Sequence, residues 1–273
     1  MPYATARDGT RIYYKDWGQG RPVVLIHGWP LSSDTFDDTA LALAENGYRA
    51  IAHDRRGFGR SDQPWSGYDY DTFAGDVAAV LEDAGIGQPI ALAGFSMGGG
   101  EVARFVSRQR SHQVSHAVLI GSVVPYLLKS DDHPEGAPKE VFDGMIDGMR
   151  ADRAKFFEGF LNDFFGVGWA AEVSEAAIRN AWRQAMMAGL RPIVACVRAF
   201  SETDFRPDLE SFTMPTLIIH GVEDRTVPID LTARAAAKAI EGAKLVEYED
   251  GAHGLFESHK DRLIRDLLDF LGS

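Results

Sequence analysis

The strongest candidate for chemistry is Ser96, at the centre of Gly94-Phe95-Ser96-Met97-Gly98. A G-x-S-x-G sequence carries weight only where it follows a strand and opens a helix. Here the apolar run Pro89–Ala93 precedes it and a helical pattern, Gly98–Gln109, follows. The glycines permit a sharp turn and let neighbouring chains pass close to it. Such a turn lifts the serine hydroxyl to the carboxyl edge of a sheet. The helix start beneath it adds positive potential where an oxyanion would form.

A serine hydroxyl is a poor nucleophile until a base takes its proton. Eight histidines compete for that role. A nucleophile on a strand-to-helix turn has its partners in the order Ser, acid, His, so the base belongs late in the chain. His253, in Gly251-Ala252-His253-Gly254, lies past the last predicted strand. His259 falls near the start of the final helix and reads as a solvated or capping residue. His112, His116 and His133 read as surface residues. His27, His53 and His220 end predicted strands and read as structural hydrogen-bonders. The acid belongs after the penultimate strand, where Glu223 and Asp224 both stand in the loop that runs to Pro228. An oxyanion hole needs two amides. Met97, after the serine, supplies one, and the loop His27-Gly28-Trp29-Pro30 supplies the other through Trp29. Pro30 has no N–H to donate, and it restricts the backbone of Trp29.

The elements that must hold these residues read as a doubly wound α/β sheet. Strands are predicted at Tyr3–Ala6, Arg11–Tyr14, Pro22–Ile26, Arg49–His53, Pro89–Ala93, Ala117–Ile120, Thr216–His220 and Lys244–Tyr248. Helices alternate with them at Thr35–Asn46, Asp71–Ala84, Gly98–Gln109, Leu231–Ile240 and Lys260–Leu271. The alternation breaks after Ile120. Glu140–Met149, Arg153–Phe165, Val173–Met187 and Pro192–Phe200 are amphipathic helices with no strand signal between them. The expected organisation is a core of residues 1–122 and 210–273 with a helical cap, 123–209, inserted between them.

Composition excludes several classes. The chain has 273 residues, 45% hydrophobic and 25% charged, which is ordinary globular composition. With 28 basic and 40 acidic residues the net charge is −12, which repels a phosphate backbone, so no nucleic-acid partner is expected. No apolar stretch approaches the roughly 20 residues that span a bilayer, so no membrane partner is expected either. One cysteine, Cys196, excludes an intrachain disulfide, and the first residues lack an apolar signal core, so the expected location is cytoplasmic. Cys196 sits among apolar residues at helical spacing and reads as a small buried hydrophobe. No Cys/His metal spacing and no G-x-G-x-x-G at a strand-to-helix junction occurs, so no metal, flavin or nicotinamide cofactor is implied. Asp54-Arg55-Arg56 reads as a structural ion-pair network.

Longer motifs then narrow the reading. Asp54-Arg55-Arg56-Gly57-Phe58-Gly59-Arg60-Ser61-Asp62-Gln63-Pro64-Trp65, the elbow extended to Gly100, Glu202-Thr203-Asp204-Phe205-Arg206-Pro207-Asp208 and Gly251-Ala252-His253-Gly254 run nearly end to end. In these the chain resembles the bacterial cofactor-free haloperoxidase and aryl esterase branch of the α/β-hydrolases. The resemblance implies an α/β-hydrolase fold with a helical cap. It implies a serine hydrolase of small aryl or alkyl esters that also makes peracids from hydrogen peroxide. Some relatives open lactones or γ-lactams, and the family tends to assemble as trimers or pairs of trimers. The family's acid stands three residues after the loop glycine and four before a proline, which Asp224 satisfies and Glu223 does not. By the same resemblance Val123, Phe160 and Phe200 face Ser96 and form an apolar pocket with Trp29 and Phe95. Pro30 is the residue associated with the more perhydrolytic members. A non-catalytic receptor of the same fold would be expected to have lost a triad member, and none is missing.

Overall fold

The computed structural model describes residues 2–109, 113–170 and 172–272. Eight strands form one sheet: β1 (Tyr3–Thr5), β2 (Arg11–Gly18), β3 (Arg21–Ile26), β4 (Tyr48–His53), β5 (Ile90–Phe95), β6 (Val114–Ile120), β7 (Thr216–Gly221) and β8 (Lys244–Tyr248). Their spatial order is β1-β2-β4-β3-β5-β6-β7-β8. The first two strands pair antiparallel, β2 also runs antiparallel to β4, and the other pairings are parallel.

The central strands are apolar on both faces because helices cover both. Val24 and Ile26 of β3 pack in one core, and Val23 and Leu25 in the other. The same alternation divides β5, with Ile90 and Leu92 on one side and Ala91, Ala93 and Phe95 on the other. The helices α2 (Tyr70–Asp83) and α3 (Met97–Arg108) cover the first face, through Phe73, Val77, Val102 and Phe105. The second face is covered by α1 (Asp37–Glu45) and by Leu263, Leu267 and Leu271, spaced one turn apart on the last helix, α9 (Lys260–Gly272).

The strand order reverses at β3. The chain moves from β3 to β4 on one side, then returns to place β5 on the other. A crevice opens at the carboxyl ends of strands where the order reverses in this way. The loops leaving β3 and β5 carry Trp29 and Ser96, and the register sets Ile26 beside Gly94.

Between β6 and β7 lie α4 (Lys139–Phe165), α5 (Glu175–Met187) and α6 (Leu190–Glu202). The reading of two helices in the first of these matches a break at Asp152, whose φ of −156° and ψ of 93° are not helical. Its carboxylate accepts the Lys155 amide at 3.0 Å and caps the second half. After β7 come α7 (Ala233–Ala239) and, past β8, a short α8 (Leu255–Ser258). The second strand runs past Tyr14 to Gly18, because Lys15 and Asp16 hide its apolar pattern. The Lys15 ammonium is buried against Asp34 and Asp37. Two surface histidines of the sequence reading are in fact buried: His116 lies against Phe270 and His133 against Tyr126. Their rings are covered by aromatic neighbours distant in sequence. His112 lies outside the described residues. Among the described residues no helix is long and apolar enough to cross a membrane.

Candidate active site

Ser96 sits between β5 and α3 with φ 54° and ψ −120°. Among the described residues it alone combines a side chain with positive φ. Such an angle is costly for an L-residue and persists only where the surroundings impose it. They do so by close approach. A Cβ on Gly98 would lie 2.2 Å from the Ile26 carbonyl oxygen, and one on Gly94 would lie 2.3 Å from that of Gly98. Both contacts are backbone, so neither could yield. The turn therefore aims the hydroxyl outward from the strand end.

His253 follows β8 and is 1% exposed. Its ring lies between Phe95 and Phe164, at centroid distances of 4.9 and 4.8 Å. The Gly254 amide donates to the Phe164 carbonyl at 3.0 Å, which ties the histidine loop to the end of α4. His253 Nε2 lies 2.9 Å from Ser96 Oγ, and Nδ1 lies 2.6 Å from Asp224 Oδ2. A carboxylate only accepts, so Nδ1 carries the proton and Nε2 is free to accept the serine hydroxyl.

Asp224 is buried in the loop after β7, whereas Glu223 is exposed. Its Oδ1 accepts the Thr226 and Val227 amides at 2.9 and 2.8 Å. The His220 Nε2 stands 3.2 Å from Oδ2 and donates to the Val227 carbonyl at 2.8 Å. Burial pushes this carboxyl up. The His253 charge and the hydrogen bonds from His220 and His253 outweigh burial and hold it well below the usual carboxylate range. The reading of His220 as a structural hydrogen-bonder holds, although spacing alone gave no sign that it touches the acid.

The β3 loop packs directly on the elbow. A Cβ on Gly28 would lie 2.9 Å from that of Ser96. Met97 is the first residue of α3, where an amide has no carbonyl one turn back to bond. A cavity of about 270 Å³ opens over Ser96 and His253. Trp29, Val123, Phe160 and Phe200 line it, and the Trp29 ring packs against those of Phe160 and Phe200. Phe95 and Pro30, expected in the pocket, are not in its wall. Phe95 is directed under the sheet edge, where it supports His253 and packs on Phe256. Pro30 is buried in the β3 loop behind Trp29. The sequence reading missed Leu127, Phe142, Met145 and Val227, which also line the cavity. Phe142 and Met145 share a face of α4 three residues apart, a spacing that served equally well for packing. His259 bonds Asp250 at 3.0 Å, away from the site.

An open-edged, mostly parallel sheet with a serine turn at its reversal point is the architecture of a doubly wound α/β hydrolase. The chain belongs to the α/β-hydrolase family, whose model, described as the alpha/beta hydrolase fold, matches residues 21–260. It is 44% identical over 274 residues to a non-haem chloroperoxidase of Kitasatospora aureofaciens, with 99% of each chain covered. It is 42% identical to a bifunctional esterase/perhydrolase of Acinetobacter calcoaceticus over the whole of both chains. The crystal structure of a bromoperoxidase from Bacillus anthracis superposes with a TM-score of 0.93 at 44% identity, again over the whole of both chains.

Proposed function

We propose that this protein is a serine carboxylester hydrolase of small aryl and alkyl esters that also transfers acyl groups to hydrogen peroxide. The observation that carries the reading is the continuous contact of Ser96 Oγ, His253 and Asp224 at 2.9 and 2.6 Å, at the floor of an apolar cavity. The esterase/perhydrolase relative supports both halves of the activity.

Ser96 Oγ attacks the ester carbonyl carbon as its proton passes to His253 Nε2. The Trp29 and Met97 amides stabilise the oxyanion. Asp224 holds the His253 tautomer and offsets the imidazolium charge. The carbon–oxygen bond breaks, the alcohol leaves with the proton from His253, and an acyl group stays on Ser96. Water or hydrogen peroxide then attacks, gives a proton to His253, and releases an acid or a peracid as Ser96 recovers its proton. No electron leaves the protein in either branch. Halide oxidation is the peracid's reaction in solution.

Residues 123–209 act as the cap that shapes the pocket through Val123, Phe160 and Phe200. The cavity is lined mostly by apolar residues, with Asp163 and Arg225 also in its wall, and suits a small acyl or alkyl group. Assembly as a trimer-based homo-oligomer in the cytoplasm completes the proposal. Light scattering tests the assembly, and a monomer mass at micromolar concentration would contradict it. The activity is tested with p-nitrophenyl acetate, with and without peroxide. Ser96→Ala should lower kcat about 10⁴-fold or more while the melting curve persists. Near-parental turnover in that variant would end the reading.

A further inference from the structure

Beneath the site lies a charge pair that this reaction does not use. Arg55, in the loop after β4, and Glu101, on α3, are 1% and 0% exposed. The Arg55 Nε and Nη2 both meet Glu101 Oε1. Two charges at that depth are costly to desolvate, and apolar residues of similar volume are often as stable. The other oxygen, Glu101 Oε2, has no hydrogen-bond partner and faces His53 Nε2 at 3.8 Å, itself without one. A pair left partly unsatisfied is poorly explained by stability.

What the pair connects is more specific. Glu101 is four residues after Met97, one turn along the same face of α3. On the other side, Arg55 Nη2 donates to the His27 carbonyl at 2.5 Å, and the Arg55 amide donates to His27 Nε2 at 2.9 Å. With Nε2 accepting, the His27 proton lies on Nδ1, which donates to the Gly28 carbonyl at 2.9 Å. Burial, with the Arg55 charge close by, pushes His27 well below the ordinary imidazole value, so the ring stays neutral and keeps this tautomer. The Leu31 amide donates to the same Gly28 carbonyl at 3.0 Å. That carbonyl and the Trp29 N–H belong to one planar peptide, so fixing the oxygen fixes where the hydrogen points.

We propose that the buried Arg55–Glu101 pair is a strut between α3 and the β3 loop that sets the spacing and direction of the Met97 and Trp29 amides, making Arg55 and Glu101 positioning residues for the oxyanion. The inference rests on the assignment of those two amides under the proposed function. A donor displaced from the oxyanion weakens the transition state and leaves ground-state binding nearly intact. The loss therefore falls on kcat and spares KM.

The test is the double variant Arg55→Met/Glu101→Leu, which removes both charges and keeps the volume. Three readouts are compared with the parent: the melting curve, kcat and KM for p-nitrophenyl acetate, and the affinity of phenylboronic acid. The boronate forms a tetrahedral anion on a reactive serine and so reads the oxyanion hole directly. We expect a folded protein with kcat down about tenfold to a hundredfold, less than the loss of a whole donor. KM should stay within about twofold, and boronate affinity should fall in step with kcat. A folded variant with parental kcat and boronate affinity overturns the strut. If the double variant does not fold, Arg55→Lys is judged by the same criteria, because lysine keeps the charge and cannot hold Glu101 and the His27 carbonyl together. Ser96→Ala is assayed alongside. Parental turnover there defeats the serine-hydrolase reading, whereas its loss beside an unaffected double variant defeats the strut alone.

Discussion

The crevice between β3 and β5 and the helices above it are built by different rules. At the crevice the backbone itself is forced. Ser96 is held at positive φ, Gly94 and Gly98 are wedged against carbonyl oxygens, and the Asp224 carboxylate is held by backbone amides and buried imidazoles. In α4 and α6 the cavity wall is made mostly by apolar bulk, from Phe142, Met145, Phe160 and Phe200, and the Arg198–Asp143 ion pair ties the two helices together. Single substitutions should therefore act as switches at the crevice and as adjustments in the helices above it.

The sharpest contrast sets Asp224→Asn against Phe142→Ala. Losing the charge and the tautomer control should lower kcat on the order of 10⁴-fold. Emptying part of the cavity wall should move KM for short esters a few-fold and leave kcat for acetate esters close to the parent. Steady-state kinetics on both variants decides the matter, and a comparable loss of kcat in Phe142→Ala would break the distinction.

The pH profile sharpens the crevice side. Activity requires a neutral His253, so kcat/KM should fall about tenfold per pH unit on the acid limb, with a slope of one. Asp224 adds no second ionisation there, because its carboxyl is held well below the ordinary range. The sign agrees for stability. A carboxyl depressed by folding contributes fully above its unfolded value of about 4 and loses that contribution only at lower pH. An acid limb of slope two above pH 5 would contradict this.

Glycines draw the same line in stability. Gly98→Ala puts a methyl group against the Ile26 carbonyl and should cost about 1–3 kcal/mol, with activity lost. Gly159→Ala on α4 meets nothing within 4 Å and should stabilise by about 0.5–1 kcal/mol. Urea denaturation of the pair reads both signs. The smallest effect is expected at Pro30, which shares a peptide with the carbonyl of Trp29, the residue whose amide is proposed to hold the oxyanion. Pro30→Leu should lower the ratio of perhydrolysis to hydrolysis a few-fold, up to roughly tenfold, since one hydrogen bond to the peroxide is at stake. An unchanged ratio removes Pro30 from the account.

The same division explains what the sequence disclosed. Backbone-forced positions leave a signature in residue type. The G-x-S-x-G turn, the glycine-flanked His253 and the loop of Asp224 were each legible in the sequence, and the structure brings the three into contact. Side-chain volume leaves only periodicity. Phe142 and Met145 looked like packing, and Phe95 looked like pocket although it is directed under His253. Burial of His116 and His133 was hidden for a related reason, because their covers, Phe270 and Tyr126, come from other elements. Asp54-Arg55-Arg56 was legible as an ion-pair network. Its partners Arg60, Glu101 and Asp76 were not, since tertiary contact alone selects them.

Under the proposed function Ser96 takes the acyl group. Diethyl p-nitrophenyl phosphate tests it most directly, because attack by a serine hydroxyl expels p-nitrophenolate and leaves a stable phosphoryl ester. We expect one p-nitrophenolate per chain, loss of esterase and peracid-forming activity together, and a diethylphosphoryl group mapped by peptide mass spectrometry to Ser96. Inactivation with the label on another residue, or full activity after the label has reached Ser96, would contradict it.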